Sequence, residues 1–274
     1  MAEQHTGVEQ HYGSVDITGR ILQALSDGGV DIAHLKPQML YPFDQFHGRG
    51  LVATEEHTAK LKLGPTSHVL DVGSGIGGPA RYMATKYGCN VSGIDLTEEF
   101  VEAARDLTSR CGLADKIDFR QDNALALPFT DRSFDAATCF NVTMNIEDKA
   151  QVLREIARVL KPGARLAYSE QGLGPKGDPI FPLPWARKPE VSFLVTPATL
   201  RGYVEAAGLR VLAWDDDTDA VMGPPPGAGG VPEEVRTLGN RIVIGDDFVE
   251  RVRNVGHNQK EGRLVSTFLL AERA

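Results

Sequence analysis

Apolar residues fall at two spacings along this chain. Short apolar runs bounded by turn residues recur at 68–71, 91–94, 117–121, 136–140, 166–169, 209–214 and 264–270, the mark of buried strands. Between the first six lie stretches with apolar residues at helical spacing. Ala80, Met83, Ala84 and Tyr87 form one, Phe100, Ala104 and Leu107 a second, Val152, Leu153, Ile156, Val159 and Leu160 a third, and Leu200, Tyr203, Val204 and Ala207 a fourth. Their ends are punctuated as helices require. Pro79 suits a first turn, Thr97 precedes Glu98 and Glu99, Asp148 or Lys149 opens the third, and Thr196-Pro197 opens the fourth; Cys111-Gly112, Lys161-Pro162-Gly163 and Gly208 stop them. The alternation predicts an α/β fold, a doubly wound sheet with helices on both faces. Right-handed crossovers put the strands parallel, with their C-terminal ends on one edge.

The flanks are less regular. Residues up to about 13 carry no period and read as a tail. A helix is expected over 14–26, with Ser14 as cap and Gly28-Gly29 as stop, then a short turn at 35–40, an irregular stretch at 41–50 and a helix at 51–61. Residues 172–195 are rich in Pro and Gly and hold Phe181, Trp185 and Phe193, a lid by length and composition. GPPPGAGGVP at 223–232 cannot be regular structure, and one or two helices are expected within 233–258. The whole chain, 1–274, reads as one domain, with cap elements at 14–61, 172–195 and 215–262.

Charge and composition narrow the classes. A formal net charge of −8 and no dense Lys/Arg stripe argue against nucleic acid as partner. Cys89, Cys111 and Cys139 are odd in number with no C-x-x-C pair, which points to reduced thiols in the cytoplasm and neither a disulfide frame nor a zinc site. The scattered histidines show no ligand spacing, so no metal is expected. The start of the chain lacks a signal sequence and no run approaches a membrane span.

The chemistry gathers at 68–95, HVLDVGSGIGGPARYMATKYGCNVSGID. It reads as strand, glycine turn, helix and second strand. Asp95 stands 22 residues after Gly73, where an acid can accept from both hydroxyls of a ribose. Gly73, Gly75 and Gly78 satisfy G-x-G-x-x-G, a weak dinucleotide signal. Asp71, Gly73, Gly75 and Gly77 also make D-x-G-x-G-x-G, whose acid would repel a pyrophosphate and attract an ammonium. With Asp122-Asn123-Ala124, LPFTDRSFD at 127–135 and LREIARVLKPGARL at 153–166, the chain resembles the class I S-adenosylmethionine-dependent methyltransferases of small molecules. The resemblance covers roughly residues 45–170 well.

It implies a Rossmann-like sheet of seven strands with the last antiparallel, and S-adenosylmethionine as cofactor. Asp71 and the turn Gly73, Ser74, Gly75, Gly77 would hold the methionine end, Asp95 the ribose, and Leu96, Asp122 and Asn123 the adenine; Asn141 would lie beside the sulfonium. The loop FDQFHGRG at 43–50 and the phrase at 192–209 are similar to the sarcosine/dimethylglycine branch, which slightly favours an amine acceptor over a natural product or quinone methylated at O or C. Gln45 and His47 are the polar groups on the acceptor side, Gln45 assigned to the donor and His47, with Glu170, to catalysis. Met144, Asn145, Gln171 and Trp185 are the expected acceptor wall. Arg81 is open between the methionine carboxylate and a structural ion pair. The partner is a small-molecule acceptor, with a homodimer left open. The rivals are an NAD-dependent dehydrogenase, for which no Y-x-x-x-K pair follows the sheet, and a protein of this fold that does not methylate.

Overall fold

The computed structural model describes residues 16–219, 235 and 238–274; Ser14 and the proline-rich stretch 223–232 lie outside them. All seven strands form one sheet in the order β3-β2-β1-β4-β5-β7-β6. They are β1 (His68–Val72), β2 (Asn90–Asp95), β3 (Ile117–Gln121), β4 (Phe134–Phe140), β5 (Leu160–Leu173), β6 (Leu209–Asp216) and β7 (Leu264–Arg273). The first five run parallel, and β7 inserts antiparallel between β5 and β6. Strand order reverses between β1 and β4, and the crevice beyond their C-terminal ends is where such sheets bind ligands.

Both faces of the sheet are covered, so neighbouring strand residues divide between two cores. Val69 packs with Ile76, Met83, Phe100 and Leu107 on one side. Leu70 and Val72 pack with Val152, Leu153, Ile156 and Leu200 on the other. The helices concerned are α4 (Gly78–Tyr87), α5 (Glu98–Arg110), α6 (Lys149–Val159) and α7 (Pro197–Ala206). Asp148 caps α6 by accepting from Gln151 N–H, and Thr196 caps α7 by accepting from Thr199 N–H, as the sequence indicates. Thr97 precedes α5, but its hydroxyl makes no cap bond; Asp95 Oδ1 accepts the Thr97 N–H instead, at 3.0 Å.

Before the sheet come α1 (Ile17–Asp27), α2 (Pro37–Asp44) and α3 (Gly50–Ala59). Two expectations change here. Asp16, not Ser14, caps α1, its carboxylate accepting from Gly19 N–H. Residues 41–44, read as irregular because of Pro42, are the last turn of α2. Leu40, Tyr41 and Phe43 are all buried against the core, and that burial outweighs the single helix bond a proline forfeits. β5 also begins earlier than expected, at Leu160, with a register shift between Phe134 and Ala136 opposite it; the Lys161-Pro162-Gly163 punctuation marks this irregularity.

A third, small core lies over the crevice. Met144, Leu183, Trp185, Ala186 and Leu264 form it, with Phe181, Leu194 and Val255 against them. It fastens residues 172–195 to the helix α9 (Phe248–Lys260), which follows the single turn α8 (Arg241–Ile244). No helix among the described residues is long and apolar enough to cross a membrane.

Candidate active site

A cavity of about 430 Å³ opens at the C-terminal ends of the parallel strands, within the range of small-molecule sites. Its floor is made by backbone. After β1 the chain turns through Gly73 and Gly75, both on the cavity wall. Gly73 has φ +69°, and a Cβ there would meet Val142 at 2.3 Å, so only glycine fits. Gly78 opens α4 where α2 ends; a Cβ on it would come within 2.0 Å of the Asp44 carbonyl oxygen. The turn is therefore wedged between β4's exit and the N-terminal helices.

Asp95, at the tip of β2, faces this turn. Gly75 N–H donates to its Oδ2 at 2.8 Å and Thr97 N–H to its Oδ1 at 3.0 Å. Asp95 lines the cavity beside Leu96. Burial raises the pKa of its carboxyl. Asp122 and Asn123 follow β3 on the same wall. Their local bonds form an Asx turn, with Asn123 N–H on Asp122 Oδ1 at 2.8 Å and Leu125 N–H on Asn123 Oδ1 at 2.9 Å. Asn141 ends β4 in the left-handed region at φ +54°, a conformation asparagine tolerates, and also lines the cavity.

Four residues assigned to the donor sit behind the wall. Ser74, Gly77 and Gln45 are not on it. Asp71 is buried at the end of β1, its Oδ1 accepting from the Thr138 hydroxyl at 2.7 Å. Its Oδ2 is buried with no hydrogen-bond partner. Burial, with Asp95 nearby, pushes its pKa up to about 7. A cation arriving at the turn would favour ionised Asp71.

Gln45 belongs to a buried chain of polar groups. Arg81, fully buried, pairs with Asp44 at 2.9 Å and donates to Thr108 Oγ1 at 2.9 Å. The structure thus resolves Arg81 as a structural ion pair. Gln45 Nε2 donates to Asp44 Oδ1 at 2.8 Å, Thr54 Oγ1 donates to Gln45 Oε1 at 2.6 Å, and His47 Nε2 lies 2.9 Å from Thr54 Oγ1. A carboxylate can only accept, so the Gln45 amide is oriented by Asp44. Thr54 has one proton and spends it on Gln45. His47 Nε2 therefore faces an oxygen that accepts, and Nδ1 faces the Gly48 carbonyl oxygen, also an acceptor, at 3.3 Å. Burial lowers the His47 pKa to about 4, so the ring is neutral at physiological pH. It lines the cavity with an edge toward Phe140 at 5.4 Å between centroids.

Met144, Asn145, Gln171 and Trp185 all reach the wall as expected. Glu170 does not. It is buried, 3.2 Å from Lys149 Nζ, with the Thr143 and Tyr168 hydroxyls on Oε2. Burial raises its pKa against the pull of Lys149. Lys149 also donates to the carbonyls of Thr143 and Ile146, so the pair pins the turn that carries Met144 and Asn145. Glu170 and Gln171 are adjacent on a strand, and alternation sends only one of them to the crevice. The catalytic assignment of Glu170 is therefore corrected to a supporting role.

Residues 70–168 match the family described as a methyltransferase domain. The chain carries a methyltransferase domain. An O-methyltransferase of Aspergillus sclerotiorum, resE, is 35% identical over 180 residues, 62% of this chain and 66% of that protein. The chain spans about half the length of the curated relatives it matches. Among solved structures, a geranyl diphosphate C-methyltransferase from Streptomyces coelicolor A3(2), bound to S-adenosyl-L-homocysteine, superposes with a TM-score of 0.73 at 16% identity, covering 100% of this chain and 99% of that one. The [4+2]-cyclase SpnF superposes at 0.67 with 23% identity, covering 98% and 96%. These likenesses establish the fold of the methyltransferase domain.

The matched span of the methyltransferase domain supplies the floor, from Gly73 to Asn145. His47, Trp185 and Gln171 lie outside it, as do residues that the sequence reading missed: Arg49, Asn240, Ile244, Phe248, Val252 and Val255. Phe248, Val252 and Val255 share one face of α9 at spacings of four and three, a signal that was readable. Among the described residues no group of three or more His, Cys, Asp or Glu is placed to hold a metal.

Proposed function

We propose that the protein transfers a methyl group from S-adenosylmethionine to a small-molecule acceptor held beneath the cap. The observation that carries this reading is Asp95. Its carboxylate is fixed by two backbone N–H groups at the mouth of a glycine turn and lines the cavity. The donor fits the residues present. The Gly73 cradle is one that a Cβ would fill, and the unpartnered Asp71 Oδ2 is a counter-charge for an ammonium. Gly73 and Gly75 would hold its methionine end, Asp95 its ribose, and Leu96, Asp122 and Asn123 its adenine.

When bound, the donor supplies a methyl already activated by its sulfonium. The protein's task is to hold the nucleophile in line and exclude water. Met144, Asn145 and Trp185 close that space. For a hydroxyl acceptor, His47, neutral and on the cavity wall, would take the proton that the oxygen sheds as it is methylated. A base held near pKa 4 suffices, because the oxygen becomes strongly acidic as it is methylated. The buried chain from Arg81 to Thr54 holds that ring in place.

The net charge of −8 supports a free metabolite over a nucleic acid as acceptor. The test is incubation with S-adenosylmethionine and an acceptor panel, read as S-adenosylhomocysteine released. Release that depends on acceptor supports methyl transfer. Tight donor binding with no release across the panel favours the second reading, a non-methylating role, which the extensive overlap with a cyclase of the same fold makes worth testing.

A further inference from the structure

We propose that the acceptor is an uncharged, elongated, apolar molecule bearing a hydroxyl, whose apolar end lies along α9 and leaves the cavity past Val252. The proposal rests on the donor reading above and fixes what the other half of the cavity takes.

Charge is the first argument. Among the described residues, only Arg49, Asp95 and Asp122 are charged on the cavity wall. The two acids belong to the floor. Arg49 is engaged by Glu56 at 2.6 Å and Asp217 at 3.7 Å. No other charged side chain among the described residues lines the acceptor side. A charged group placed there would be desolvated without a counter-charge. This weighs against a zwitterionic member of the amine class that the sequence slightly favoured.

The second argument is what fills that end instead. Phe248, Val252 and Val255 present one face of α9, opposite Met144, Trp185 and Ile244. The amide nitrogens among them are already engaged. Gln171 Nε2 donates to Ser266 Oγ at 2.5 Å and its Oε1 accepts from Gln259 at 3.3 Å; Asn145 Nδ2 donates to the Trp185 carbonyl at 2.8 Å and Asn240 Nδ2 to the Gln45 carbonyl at 3.0 Å. Asn240 Oδ1, buried on this wall without a hydrogen-bond partner, is an acceptor left for a hydroxyl.

The third argument is the mouth. Val252 is 45% exposed although it lines the cavity, and its neighbour Val249 is 53% exposed. Large apolar side chains at the rim of an apolar cavity mark a path for apolar ligand. A molecule longer than the space above the floor would lay its tail over this rim.

The experiment uses the full chain and three probes: hexylphenol, its counterpart with a terminal carboxylate, and sarcosine. Binding is followed by tryptophan fluorescence, with and without S-adenosylhomocysteine, whose own affinity is measured separately by titration calorimetry. Hexylphenol is expected to bind at least tenfold more tightly than either charged probe. Val252→Asp is expected to weaken hexylphenol about tenfold and leave S-adenosylhomocysteine affinity within twofold. Equal or tighter binding of the carboxylate counterpart or of sarcosine, no binding of hexylphenol, or indifference to Val252→Asp would overturn the proposal. Loss of S-adenosylhomocysteine binding in the unaltered protein would sink the donor reading instead, and the hexylphenol comparison would still be read without it.

Discussion

The two ends of the cavity are built by different means. The floor is backbone: a turn that demands glycine, strand tips, and one acid whose oxygens accept N–H groups from that turn and the next helix. It comes from a contiguous stretch of chain and lies inside the matched domain span. The acceptor end is side chain, assembled from α2's exit, the lid and α9, some two hundred residues apart. A floor of this kind has one geometry to offer and binds one ligand shape. A wall of side chains can be repopulated without disturbing it, which is how one fold serves many acceptors.

If that division is real, substitutions should separate into those that act on donor affinity and those that act on turnover. The largest effect is expected from His47→Gln, with kcat lowered on the order of 10³-fold and S-adenosylhomocysteine affinity unchanged within twofold by calorimetry. A matching loss of affinity would merge the two ends. Asp95→Ala should do the reverse, weakening S-adenosylhomocysteine about a hundredfold, or about 2.7 kcal/mol. Thr54→Val removes the group that orients His47 and leaves Gln45 Oε1 without its donor. About a tenfold loss in kcat is expected, with donor affinity kept, and steady-state kinetics beside calorimetry will show whether the split holds.

The smallest effect is a pH dependence of the floor. Asp71 has a folded pKa raised to about 7 against an unfolded value near 4. The folded state therefore holds its proton more tightly. Its contribution to stability is fully present below pH 4 and declines as pH rises to about 7. Donor binding has the opposite sign, because a bound ammonium favours the ionised form. S-adenosylhomocysteine affinity should rise severalfold between pH 6 and 8. In Asp71→Asn both trends should flatten, with thermal melts and calorimetry across that range as the readout.

Legibility in the sequence follows the same division. The β1–α4–β2 unit could be read because backbone requirements leave fixed marks: glycines at a turn, a proline at N1, an acid at a strand tip. The seven-stranded sheet and its antiparallel β7 were implied by the resemblance that this pattern supports. Pro42 misled because helix signals are local, whereas the burial of Leu40, Tyr41 and Phe43 that holds α2 is tertiary. Glu170 was placed in the crevice by its position at a strand end, although strand parity allows only Gln171 there. Gln45 and Arg81 looked like ligand groups, yet Gln45 is taken by its neighbour Asp44 and by Thr54 of the next helix, and Arg81 by Asp44 of a distant one. Apolar residues at 248, 252 and 255 formed a readable stripe whose destination only the fold could reveal.

The most direct test of the account is a crystal structure with S-adenosylhomocysteine bound. The sugar hydroxyls are expected within hydrogen-bond distance of Asp95, the amino group at the Gly73–Gly75 turn above Asp71, and the sulfur turned toward the space between His47 and Met144. A ligand seated elsewhere, or one whose sugar does not meet Asp95, would contradict it.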